Sequence, residues 1–168
     1  MLGYRDSVAD SQRVAAAVEI ATRIHGSHAD ESGRLYVARS LAVMASVSRH
    51  QVANPYERTA LMCAGVLYDV LATRIGYEDL RRLKQEIADA VGDRASSALD
   101  NLKRYPFESE DDYVARIDSD WIARRVKIDA LYRELERSVA PLAVLERSWT
   151  MLLQLTLDVD YDYMCPWR

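Results

Sequence analysis

Tyr68 and Asp69 lie side by side inside an apolar run, Ala64-Gly-Val-Leu-Tyr-Asp-Val-Leu71. A phenol donates or accepts one hydrogen bond, and a carboxylate takes a proton, pairs with a cation or ligates a metal. Burying a carboxylate among such neighbours is costly unless a partner is supplied. The pair therefore predicts a polar partner from another part of the chain. A guanidinium suits that role, because it is always charged and its planar fork grips carboxylates and phosphates. Tyrosine, carboxylate and histidine together serve acid/base steps such as cyclisation, isomerisation or elimination.

The two cysteines add no chemistry. Cys63 falls in an apolar helical stretch and reads as a small hydrophobe. Cys165 lies near the C-terminus, and neither has metal-ligand spacing to another cysteine or to a histidine. Such usage suits a reducing compartment. His25 precedes a glycine and can satisfy helix carbonyls. His50 reads as a partner for a helix C-terminal dipole.

These residues must be positioned by helices. Apolar residues recur at three- and four-residue intervals, with almost no alternation, which predicts an all-α chain. The first helix is expected from Ser7 or Asp10 to Ile24, closed by Gly26, and the second from about Tyr36 to Arg49. Asn54-Pro55 caps a third, central helix running to about Ala72. Gly76 to Leu80 opens a fourth, which breaks near Gly92-Asp93 before a segment ending at Pro106. Ser109 with its following acids caps a helix to Asp118. Another runs from Ser119 to Ser138, and Pro141 opens the last, to about Leu157. Residues 1–157 form one domain, followed by an acidic, aromatic tail, 158–168, with Tyr161, Tyr163 and Trp167.

The chain has 168 residues, 49% hydrophobic and 29% charged, the composition of one globular domain. Its net charge of -4 argues against a general nucleic-acid binder. Arg124-Arg125-Val-Lys127 offers a local phosphate contact, but the solvated face of a helix is the preferred reading. No apolar run spans a bilayer and no signal peptide opens the chain, so a cytoplasmic protein is expected.

Four stretches, in order, resemble the HD-domain phosphohydrolases, in particular small alarmone (ppGpp) hydrolases and the hydrolase domains of Rel/SpoT proteins. They span residues 14 to about 135. The first holds His25, Gly33, Tyr36, Leu41 and Val43. The second is Tyr68-Asp69-Val-Leu, then Tyr77-Glu-Asp-Leu80. The third is Asp112-Tyr113-Val-Ala-Arg116-Ile117. The fourth is Ala123-Arg-Arg-Val-Lys127-Ile-Asp129-Ala130.

The resemblance implies an HD-like helical bundle with two histidines and two aspartates around a divalent metal. In this chain those positions are Arg39, Tyr68, Asp69 and Ala130. The family's acidic pair becomes Ala72-Thr73, and its basic residues after the first histidine become Asp30-Glu31. A guanidinium has no lone pair to donate, and a neutral phenol is a poor ligand. Asp129 lies one place before the family's last aspartate, about 100° around a helix. On that resemblance the catalytic candidates are Tyr68, Asp69 and His25, and the ligand-binding candidates are Arg39, Tyr36, Asp129 and Arg133. The expectations are no metal and no cofactor, and Arg39 in the lost cation's place, paired with Asp69. The functional expectation is a pseudoenzyme binding a small anionic molecule or a protein partner, with homo-oligomers allowed. A metal-independent enzyme in the remodelled pocket is the alternative. A ppGpp-like pyrophosphohydrolase using His25, Asp69 and Asp129 comes third.

Overall fold

Periodicity of this kind can be satisfied only by helices that bury a common face, and the computed structural model is built of them. It describes residues 2–29, 33–72, 77–136 and 142–157. The elements are α1 (Leu2–His25), α2 (Tyr36–Val47), α3 (Pro55–Leu67), α4 (Tyr77–Val91), α5 (Asp93–Leu102), α6 (Glu110–Asp118), α7 (Trp121–Leu135) and α8 (Leu142–Leu157). No strand occurs among the described residues; Ala29 and Leu35 make an isolated bridge. The expectations for Asp30-Glu31, Thr73, Gly76, Ser138, Pro141 and the 158–168 tail, with its aromatics and Cys165, fall outside the described residues.

α3 is central. Asn54 caps it through the Tyr56 amide at 2.9 Å, and eight of its residues, from Thr59 to Leu67, are buried. Gly65 sets its distance to α2. A Cβ there would lie 2.8 Å from Val47 Cγ2 and 3.2 Å from Met44 Cα. Cys63 is buried in the same helix, and burial pushes its thiol up to about 12, which makes it unreactive.

α3 is shorter than its apolar pattern predicts. The α-helix ends at Leu67, Tyr68 and Asp69 form a turn, and a 3-10 turn follows at Val70–Ala72. The Ala72 amide bonds to the Asp69 carbonyl at 3.1 Å. Apolar residues continue through the break because Val70 and Leu71 are still buried, so hydropathy cannot mark the end.

Other boundaries follow local chemistry. α1 begins earlier than expected, and Gly26 closes it with φ +49 and a 2.8 Å bond to the Thr22 carbonyl. Ser109 caps α6 through the Asp112 amide. α7 starts after Asp120, not at Ser119. The Asp120 carboxylate accepts from the Ile122 and Ala123 amides at 2.9 and 3.3 Å and from Arg94 at 2.8 and 3.0 Å. One larger core joins α1 to α5 and α7. A smaller one, including Tyr113, Ile117, Leu131 and Leu155, joins α6 to α8 across α7.

Candidate functional site

The unwound end of α3 delivers Asp69 to three donors. His25 Nε2, from the last residue of α1, lies 2.9 Å from Oδ1. Ser40 Oγ, from α2, donates to the same oxygen at 3.0 Å. Arg39 Nη2 donates to Oδ2 at 2.8 Å. Burial opposes ionisation of Asp69, but the hydrogen bonds from His25 and Arg39 outweigh it and hold the carboxyl below its usual range. The expected pairing of Arg39 with Asp69 is therefore formed. Ser40 is a partner that sequence reading missed; it is wholly buried on α2.

Arg39 is also held by rings. Its Cζ lies 5.0 Å from the Tyr36 ring centroid and 5.9 Å from that of Tyr68. Burial opposes its charge, but Tyr68 and Asp69 more than compensate and raise its pKa. Arg39 Nε is buried and has no hydrogen-bond partner among the described residues. Tyr36 stacks on His25 with centroids 6.0 Å apart, so it braces the cluster from α2's first turn.

Beyond Arg39 opens a cavity of about 220 Å³ lined by Arg39, Tyr68, Lys127, Ala130, Leu131, Arg133 and Glu134. Three cations face one carboxylate. Lys127, Ala130, Leu131 and Glu134 stand at positions i, i+3, i+4 and i+7, on one face of α7. Arg133 also pairs with Glu136 at 3.1 Å, and Glu134 accepts from Ser148 at 3.2 Å.

Asp129 does not line this cavity. The one-residue offset turns it toward a different partner set, where its carboxylate accepts from Ser46 at 2.7 Å, His50 at 2.9 Å and Arg125 at 3.2 Å. Burial raises its pKa, and the bonds from His50 and Ser46 overcome that and lower it. His50 is thus the partner of a buried carboxylate, not of a helix dipole alone.

The reading of residues 124–127 as one solvated face is also corrected. At about 100° per residue, Arg125 stands about 160° around the helix from Lys127, so the three basic side chains cannot all share one face. Arg124 donates to the Leu155 carbonyl at 2.8 and 3.0 Å and pairs with Asp118 at 2.9 Å. Arg125 joins Asp129, and Lys127 enters the cavity.

The Asp112-Tyr113-Val-Ala-Arg116-Ile117 stretch is structural. Tyr113 donates to the Leu102 carbonyl at 2.9 Å. Arg116 donates to the Asp100, Asn101 and Lys103 carbonyls at 2.9, 2.6 and 2.8 Å. The two residues cap α5 and tie it to α6.

The donor set does not fit the divalent metal that the resemblance implies. Asp69 spends both oxygens on His25, Ser40 and Arg39, and Asp129 belongs elsewhere. No group of three or more His, Cys, Asp or Glu residues able to hold a metal occurs among the described residues. No helix among them is long and apolar enough to cross a membrane. No family model and no curated protein matches the chain.

Proposed function

We propose that the chain is a metal-free, HD-like binding domain for a small organic anion or a phosphate. The observation that carries this reading is the cavity in which Arg39, Lys127 and Arg133 face a single carboxylate, Glu134. Three of its lining positions, Arg39, Tyr68 and Ala130, are those where the resemblance places metal ligands. A fixed guanidinium thus stands in the metal's place, and the charge it leaves over attracts an anion. Arg39 is preorganised by Asp69 and two aromatic rings, which lowers the ordering cost of binding.

Size narrows the ligand. Pockets for drug-sized ligands measure roughly 300–1,000 Å³. At about 220 Å³ this cavity suits a short carboxylic acid or one phosphate group and is too small to enclose a guanosine tetraphosphate. The described donors do not form a metal-binding group, and Ala72-Thr73 stands where the family has its acidic pair, so binding is the preferred reading over pyrophosphate hydrolysis.

The test is titration of isotope-labelled protein with lactate, and separately with inorganic phosphate, followed by amide and arginine side-chain NMR shifts. Saturable shifts at Arg39, Tyr68 and Arg133, lost in Arg133→Ala for at least one anion, are expected. Absence of saturable shifts with both anions overturns the proposal.

A further inference from the structure

The chain contains nineteen arginines and three lysines, Lys84, Lys103 and Lys127. Lys84 pairs with Asp100 on the surface, and Lys103 lies over the Tyr105 ring at 5.8 Å. Lys127 lines the cavity, and among the described residues it forms no ion pair and no hydrogen bond. Its Nζ lies 5.6 Å from the centroid of the Tyr113 ring.

An amine differs from a guanidinium in one respect that matters here. It can lose its proton and become a nucleophile, whereas arginine stays charged. The surroundings favour that loss. Burial lowers the Lys127 pKa, and Arg104 and Arg39 act in the same direction against Glu134 and Glu110. An amine desolvated beside another cation is the recurring setting of imine-forming lysines. The cavity adds what such an amine needs: two arginines for an anionic tail, a carboxylate at Glu134, and space for only a few carbon atoms.

We propose that Lys127 condenses with the carbonyl carbon of a short 2-oxo acid whose carboxylate is held by Arg39 and Arg133. This inference rests on the anion-binding reading and names its ligand class. The neutral amine adds to the carbonyl carbon and forms a C–N bond. The carbonyl oxygen then leaves as water with the two amine hydrogens, so the C–O bond is replaced by a C=N bond. Glu134 is the carboxylate of the lining that can relay those protons. No oxidant or cofactor is consumed.

The experiment treats the full-length protein with pyruvate and cyanoborohydride, followed by intact mass and peptide mapping. Reduction of the imine adds hydride to carbon and a proton to nitrogen. The expected adduct adds the mass of pyruvic acid less one oxygen. Labelling at Lys127 is expected to exceed that at Lys84 and Lys103, since a lowered pKa raises the fraction of neutral amine. It is expected to vanish in Lys127→Arg, with folding checked by circular dichroism. Lactate, which lacks the carbonyl, is titrated in parallel by NMR. Lactate binding without preferential labelling of Lys127 by pyruvate overturns the imine and leaves anion binding standing. Failure of lactate, phosphate and pyruvate alike overturns both readings.

Discussion

Asp69 and Asp129 meet the same kinds of partner on two faces of α2. Each accepts from a serine of α2, a histidine and an arginine: Ser40, His25 and Arg39 for one, Ser46, His50 and Arg125 for the other. Their side chains are similarly shielded, at 12% and 9% exposure. Both carboxyls are held below their usual range although burial alone would raise them. The difference lies beyond the arginine. Arg39 opens onto a cavity with Lys127 and Arg133, whereas neither Asp129 nor Arg125 lines that cavity. A neutralised buried aspartate is therefore scaffold in both places. Surplus positive charge around a void is what singles out one of them as a site.

Truncating either aspartate breaks the comparison hardest. Asp69→Ala and Asp129→Ala each leave an arginine and a histidine without their acceptor, at a cost of about 3–5 kcal/mol. Urea unfolding at neutral pH is expected to report similar losses for both, and a loss confined to one would dissolve the parallel. Gly65→Ala comes next, at about 1–3 kcal/mol, because a methyl there forces apart α3 and the α2 helix that supplies both serines. The same unfolding assay checks it; an unchanged midpoint would mean that α2 yields freely.

Acidification sharpens the comparison at intermediate size. A lowered folded-state pKa contributes stability that is full above the unfolded carboxyl value, near pH ~4, and is lost as pH falls through the folded value. Asp69→Asn and Asp129→Asn are each expected to flatten the stability curve across that acid window, measured by denaturation from pH 6 downward. A variant curve that keeps the wild-type slope would remove that aspartate from the account.

The smallest stability effect separates site from scaffold most clearly. Among the described residues Arg133 pairs with Glu136 at the surface, so Arg133→Ala is expected to cost under about 0.5 kcal/mol while weakening lactate binding. Arg125→Ala is expected to do the reverse, lowering stability and leaving lactate affinity unchanged. Equal effects of the two variants on lactate binding would erase the distinction between the clusters.

Much of the fold was legible because caps and periodicity are local. Asn54-Pro55, Ser109 with its acids, and Gly26 mark helix ends through bonds to residues two to four away. Gly65 was not legible as a spacer, because its role depends on Val47 and Met44 of another helix. The Arg39–Asp69 pair could be anticipated because an uncompensated buried carboxylate is so unfavourable. Ser40, His50 and Lys127 could not be placed, since each is assigned by which way its helix faces a neighbour.

The sequence by itself determined that helices form, roughly where they begin and end, and that Asp69 requires a cation. Tertiary structure decided where α3 unwinds, which aspartate faces the cavity and which backs onto Ser46 and His50, and that Lys127 turns inward. The physical reason is that helix formation is settled by bonds four residues apart. The partner of a side chain is settled instead by helix rotation and packing, where one residue is worth about 100°.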